Sequence, residues 1–430
     1  MKYCIKGGEI IDPAGGYLGR GDLLFCDGKV VAVGTNLAES SDAEVIPATG
    51  KLVLPGLVDL HCHLREPGRE DEETVASGAR AAVQGGFTAV VAMANTDPAA
   101  DNAVVISYVH GQATAAGFAK VYPAGAITKG LKGEELAEMG AMAEAGAAAF
   151  SDDGKTVMNA AVLRTAAEYS KLFDKPLLLH EEDRNLVGDG VMHEGYWATA
   201  LGLPGIPSLA ETAQIARDLL IAEYTGARFH FCHLSAKESV ALIRRAKECG
   251  LAVTAEVTPH HLCLTDAMLE GFDPVYRVSP PLRSEADREA LWEGLSDGTI
   301  DAIATDHAPH SLEEKHREFS LAPTGMTGLE TALAAVWTEL VITGRISREK
   351  LVERMAVRPA QILKKTGGRL RPGDPADLMI FDPDCTWTVK PEDLTSRSRN
   401  NPFVGRELRG RVERVWVDGV LKYVHQSFTE

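Results

Sequence analysis

His61 and His63 stand one residue apart at the end of a strand-like run that closes Asp59-Leu60-His61-Cys62-His63. Side chains alternate along a strand, so the two imidazoles point one way and Cys62 points the other. Two imidazoles on one face can hold a single cation together. One such pair is modest evidence, because most are core or surface histidines. Four further runs end in similar chemistry: Ser151-Asp152-Asp153-Gly154, His180-Glu181-Glu182, Cys232-His233-Leu234 and Thr305-Asp306-His307-Ala308-Pro309-His310. Four histidines and two aspartates converging on one face suit zinc or a similar divalent ion. A single catalytic zinc normally takes three protein ligands, so six point to two ions. Two ions about 3.5–4 Å apart would share a bridging hydroxide, made available near neutral pH by their combined charge.

Such convergence requires that the runs be neighbouring strands. Eight candidate strands, over 53–63, 88–95, 120–127, 147–152, 176–180, 228–233, 251–257 and 301–306, alternate with helical stretches. This βαβ alternation predicts an α/β fold with a parallel sheet, and eight units fit a closed (β/α)8 TIM barrel. In that barrel all the strand ends above meet at the C-terminal face, where active sites sit. No GxGxxG opens a helix after the first strand, which argues against a dinucleotide-binding sheet. The two ends of the chain differ from the middle. Tyr3 to Ile11 alternates, Gly15-Gly16 breaks it, and Asp27-Gly28 marks a hairpin; the last sixty residues repeat the pattern, with a turn at Asp418-Gly419. Both ends are expected to pair into one small flanking β-domain, giving divisions at 1–54, 55–366 and 367–430.

Composition narrows the function. The chain has 430 residues, 45% apolar and 24% charged, which suits a globular protein with a large core. A net charge of −17 without a basic stripe argues against nucleic-acid binding. Met1-Lys2-Tyr3-Cys4 leads straight into strand-like residues, and no apolar run is long enough to span a bilayer. Seven scattered cysteines form no CxxC pair, so a reduced, cytoplasmic enzyme without a disulfide framework is expected.

Longer motifs make the pattern specific. His61-Cys62-His63-Leu64-Arg65-Glu66-Pro67-Gly68 resembles the HxHLREPG signature of the bacterial type I dihydroorotases. Thr305-Asp306-His307-Ala308-Pro309-His310 is similar to their second signature, and Phe150-Ser151-Asp152-Asp153-Gly154 to a third. Val191-Met192-His193-Glu194-Gly195, Leu201-Gly202-Leu203-Pro204-Gly205 and Val257-Thr258-Pro259-His260-His261-Leu262 extend the likeness over nearly the whole chain.

The resemblance implies a dihydroorotase, a cyclic amide hydrolase that closes N-carbamoyl-L-aspartate to (S)-dihydroorotate in pyrimidine biosynthesis. It assigns His61, His63 and Asp306 to a first Zn2+ and His180 and His233 to a second. Asp153 would bridge them by its match to the motif, with Asp152 as the competing candidate. Related hydantoinases and allantoinases use a carbamylated lysine there. Asp306 would also shuttle the proton. Arg65 would grip the substrate carboxylate through its planar fork, with Asn95 and His310 as further contacts. Ser279, Thr324 and Gly325 lie where the ring would be held.

Three positions depart from the family pattern. Ala94 stands for a usual proline, Ser279 for an asparagine, and Thr324 for a phenylalanine. These departures keep a hydantoinase or allantoinase as a rival reading, while Arg65 and the strand-four aspartate oppose it. A non-catalytic scaffold for aspartate carbamoyltransferase is a second rival, opposed by the presence of all six ligand positions. Assemblies compatible with the family are a homodimer and a complex with that carbamoyltransferase. His260 and His261 are expected to make structural hydrogen bonds, and Cys62 and Cys232 to pack on the helix side of their strands.

Overall fold

The structure, a computed structural model, describes residues 2–37, 42–425 and 427–429. Eight strands lie side by side in chain order: β1 Leu57–Cys62, β2 Phe87–Ala92, β3 Lys120–Gly125, β4 Ala149–Phe150, β5 Leu177–Leu179, β6 Phe229–Phe231, β7 Val253–Val257 and β8 Ala302–Ile303. Every neighbouring pair is parallel. The free edges of β1 and β8 meet beyond their ladders. His63 N–H donates to His307 O at 2.8 Å, and Thr305 N–H donates to the buried Asp59 carboxylate at 2.8 Å. These bonds close the sheet into a barrel.

Two apolar layers hold it. Inside, Val58, Leu60, Ala89, Val91, Ala124, Ala149, Leu178, Ala302 and Ala304 pack together, mostly as small residues. Helix Arg358–Ile362 stoppers the N-terminal end, with Ala360 and Ile362 in the same cluster. Arg358 pairs there with Asp301 at 2.6 Å, just before β8. Outside, Val90, Val121, Phe229, Phe231 and Ile303 meet helical residues such as Ala79, Val83, Ile215 and Ile243. Helix Val75–Gln84 shows why these segments are helical. Thr74 and Ser77 form a reciprocal capping box, and Val75, Ala79, Ala82 and Val83 supply one buried face.

The second sheet draws on both ends of the chain. Lys2–Asp12, Tyr17–Cys26, Lys29–Gly34, Glu44–Pro47 and Leu52–Pro55 join Leu378–Thr388, Glu407–Val417, Val420–Val424 and Ser427–Phe428. The seam is antiparallel, with Leu54 opposite Met379. Asp27 and Gly28 turn the hairpin between Tyr17–Cys26 and Lys29–Gly34 with φ of 50° and 79°, the left-handed pair that matches strand twist.

The run expected as one strand over 53–63 is two. Leu52–Pro55 belongs to the flanking sheet and Leu57–Cys62 to the barrel. They separate at Gly56, where a Cβ would sit 2.2 Å from Thr88, so only glycine lets β1 enter alongside β2. The expected strands over 147–152 and 301–306 shorten to two residues each, because the backbone leaves the ladder where side chains turn into the site.

Candidate metal centre

The C-terminal ends of β1, β4, β5, β6 and β8 bring six buried groups together. Asp153 Oδ2 lies 3.2 Å from His61 Nε2 and 3.3 Å from His63 Nε2, and Asp306 Oδ1 lies 3.6 and 3.0 Å from the same two nitrogens. The other oxygen, Asp153 Oδ1, lies 3.5 Å from His180 Nδ1 and 3.4 Å from His233 Nε2, which are 3.0 Å apart. One carboxylate therefore faces two separate ligand groups, one with each oxygen. Asp152 faces away. It accepts from Ile127 N–H at 2.8 Å, Thr128 N–H at 3.0 Å and the Thr128 hydroxyl.

Backbone strain marks the same place. His233 has φ of 35° and Asp306 φ of 45°, in a region that residues with a Cβ rarely occupy. In both, the turn swings a side chain inward just after a strand ends. Arg65, two residues beyond His63, has φ of 59°.

The donor set fits divalent metal. His61 Nε2 is fully buried and makes no hydrogen bond, an orphan that a cation would satisfy. Four imidazole nitrogens and two carboxylates are the donor types that zinc and similar ions take. The electrostatics agree. Burial alone would raise Asp153, yet the His61, His180 and His233 rings hold it well below the usual carboxylate range. Asp306 is depressed against burial by its hydrogen bond to His63 and the charge of His61. His180 is pushed up to about 10, against burial, by Asp153 and Glu182.

Three of the histidines are braced from behind. His61 turns Nδ1 to Glu256 Oε1 at 3.0 Å, and His63 turns Nδ1 to Asn95 Oδ1 at 2.8 Å. His180 Nε2 lies 3.4 Å from Glu182 Oε2. Such acceptors fix which nitrogen faces a metal. Glu256 also accepts from His230 at 2.9 Å and is held down at about 2 by the two rings in spite of burial. Sequence reading missed Glu256. The signal was a charged residue in the strand-like run of β7, since an unpaired carboxylate is almost never buried.

A cavity of about 180 Å³ opens over the centre, lined by five of those six groups and by Arg65, Asn95, Glu182, Ser279, His310, Thr324 and Gly325. With Oδ1 committed to His63, the Asn95 amide directs its N–H groups elsewhere as donors. Ser279 gives its hydroxyl hydrogen to Glu182 Oε2 at 2.7 Å. Gly325, at φ 145°, packs so tightly that a Cβ would lie 2.9 Å from His310 Nε2. Two expectations need correction. Cys232 does not pack on the helix side; it joins the inner barrel cluster and groups with His61 and Glu256. Strand alternation places it inside with His230, and the left-handed His233 then breaks the alternation to point inward too. His261 makes its expected bonds, to Thr258 and to Pro280 O at 3.1 Å, but His260 Nε2 is buried without a partner.

Family descriptions match the chain in two overlapping blocks, Dihydro-orotase-like over residues 50–239 and Amidohydrolase family over residues 212–423. A protein of Pelotomaculum thermopropionicum named dihydroorotase is 53% identical over 410 residues, 95% of this chain and 96% of its own length. The chain belongs to the dihydroorotase family. A second relative so named, from Syntrophotalea carbinolica, is 49% identical over 98% of this chain and 99% of its own. Among solved structures, the L-hydantoinase (dihydropyrimidinase) of Arthrobacter aurescens superposes with a TM-score of 0.90 at 26% identity, covering 100% of this chain and 97% of that one. The dihydropyrimidinase of Brevibacillus agri follows at 0.85 and 24% identity, covering 100% and 96%, a likeness of fold alone. Membership makes this chain an enzyme, a cyclic amide hydrolase, and with the donor set above it implies a metal. Among the described residues no helix is long and apolar enough to cross a membrane.

Proposed function

We propose that this enzyme closes N-carbamoyl-L-aspartate to (S)-dihydroorotate, reversibly, with two zinc ions per chain. The observation that carries this reading is one cavity lined by five of the six converging groups and by Arg65, Asn95 and His310. A cyclic amide bearing a carboxylate away from the reacting bond needs both features. His61, His63 and Asp306 would hold one zinc, His180 and His233 the other, and Asp153 would reach both. Zinc bound there supplies a water deprotonated near neutral pH and polarisation of the ring carbonyl.

The chain's own groups do the rest. In hydrolysis Asp306 accepts the proton from the attacking water and returns it to the leaving ring nitrogen; in closure it runs the same transfer backwards. Arg65 and the Asn95 amide hold the carboxylate, and His310 flanks Arg65 at 3.4 Å. Ser279, Thr324 and Gly325 border the ring. A hydantoinase substrate would offer no carboxylate to the terminal nitrogens of Arg65, and a scaffold subunit would have no use for six converging ligands. The domain division that accompanies this reading is a barrel of 55–366 and a β-domain of 1–54 with 367–430. Support for it is the break at Gly56 between the two sheets. The seven cysteines, all free, suit a reducing cytoplasm. A homodimer and a carbamoyltransferase complex are the assemblies to look for.

Elemental analysis and turnover on the same preparation test the proposal. Wild type should carry two zinc ions and act on dihydroorotate and N-carbamoyl-L-aspartate in preference to hydantoin and allantoin. His180→Ala should lose one zinc. A single full-occupancy metal unchanged in that variant would contradict the two-metal assignment, and preference for an uncharged ring would overturn the substrate.

A further inference from the structure

Glu72 lies in the segment between β1 and helix Val75–Gln84, inside the acidic run Glu70-Asp71-Glu72-Glu73. An acidic run of this kind reads as a solvated loop. Glu72 is instead only 1% exposed, and its carboxylate is divided between groups that border the cavity. Oε2 lies 3.2 Å from Arg65 Nε, and Oε1 lies 2.9 Å from His310 Nδ1. Oε1 also accepts from Arg69 at 3.0 Å, while Arg69 pairs outward with Glu314 at 2.9 Å. The Glu72 main chain is fixed as well, since its N–H donates to Arg69 O at 3.0 Å and its carbonyl accepts from Ser398 Oγ at 2.8 Å.

The consequence is geometric. Arg65 Nε is engaged from behind by Glu72 and by Pro309 O at 3.1 Å, which leaves the terminal guanidinium nitrogens to the cavity, with Nη2 3.4 Å from His310 Nε2. His310 cannot rotate, because Nδ1 faces Glu72 and Nε2 faces Thr324 O at 2.9 Å. Glu314 Oε2, 3.6 Å from His310 Nδ1, is the one other carboxylate near that ring among the described residues, and it is a quarter exposed.

We propose that Glu72 is a positioning residue for recognition of the substrate carboxylate, a single buried acid that aims Arg65 and His310 together. The inference rests on the reading of Arg65 and His310 given under Proposed function. A carboxylate suits this place because it accepts on both oxygens. A glutamine would turn an N–H2 against Arg65 or His310, both of which present N–H groups. One carboxylate holding both groups also couples them, so moving it moves both.

The test is steady-state kinetics of zinc-loaded Glu72→Gln and Glu72→Asp on dihydroorotate and hydantoin, with zinc content and thermal midpoint measured on the same samples. Glu72→Gln should raise KM for dihydroorotate roughly 10- to 100-fold, with kcat within about threefold of wild type. Its kcat/KM on hydantoin should stay within about threefold, and its zinc content should not change. Glu72→Asp keeps the charge but withdraws it by one methylene, and should fall between the two; it carries the test alone if the glutamine variant does not fold. Adding Arg65→Lys to Glu72→Gln should cost less than the two separate losses combined, because both act on one contact. Equal losses on both substrates would reduce Glu72 to a structural role and overturn the inference. A wild-type KM in Glu72→Gln, in an enzyme that does prefer dihydroorotate, would overturn it while leaving the proposed function standing. An enzyme with no preference for the carboxylate-bearing ring would remove both.

Discussion

Asp306 is asked to do two things at one set of atoms. It approaches His61 and His63 on the metal side and borders the cavity on the other. A group that moves a proton in the transition state should show its loss in kcat. Asp306→Ala is expected to lower kcat by roughly 10²–10⁴-fold or more, with a much smaller change in KM. Near-normal kcat with a raised KM, measured on dihydroorotate at saturating zinc, would remove the proton-transfer role. In the sequence the convergence of the six groups was legible, because they cluster at the ends of strand-like runs. Glu256 and Glu72 were not. Each has a partner from a distant segment, 238 residues away in the case of Glu72 and His310, and nothing local announces that contact. The inward turn of Cys232 was hidden for a related reason, since the left-handed backbone at His233 cannot be seen in residue alternation.

The elements explain why two adjacent aspartates have different work. Asp153 follows β4 and reaches across the barrel mouth, whereas Asp152 ties the end of β4 to the segment after β3 through Ile127 and Thr128. Removing that carboxylate would strand two buried backbone N–H groups. Asp152→Ala should therefore cost on the order of 2–5 kcal/mol of stability, read as a lower urea midpoint with metal chelated, whereas Asp153→Ala should lose bound metal. Loss of metal in Asp152→Ala with unchanged stability would transfer the bridging role to Asp152. Barrel strands were readable from alternation with helices, and all eight lie within or beside the expected runs. The join between the sheets was not readable, because 53–63 reads as one continuous strand-like run and only the clash of a Cβ with Thr88 shows why the chain breaks at Gly56.

Taken whole, the molecule is strongly acidic, while the proposed site would recognise an anion. The net charge is −17, yet the cavity presents Arg65, whose side chain is only 12% exposed, so that few waters screen it. A guanidinium held there discriminates by charge as well as by shape. The flanking sheet, built from both chain ends, contributes to this from a distance. The segment that leaves Leu378–Thr388 supplies Asn400, whose amide donates to Ala308 O at 3.0 Å and Gly325 O at 3.1 Å and so pins two walls of the cavity. Pairing of the two ends was legible from their matching hairpin turns; the reach of the C-terminal segment into the site was not, since Asn400 lies in a stretch without periodicity. The account as a whole depends on recognition of a carboxylate beside a metal centre. The most direct measurement is kcat/KM for dihydroorotate and for hydantoin in zinc-loaded wild type and Arg65→Lys. The account predicts a wild type that prefers dihydroorotate and a variant that loses roughly 30- to 4,000-fold on that substrate, from 2–5 kcal/mol of a buried charged contact, while hydantoin turnover is largely spared. Equal losses on both rings, or a wild type that prefers the uncharged one, would contradict it.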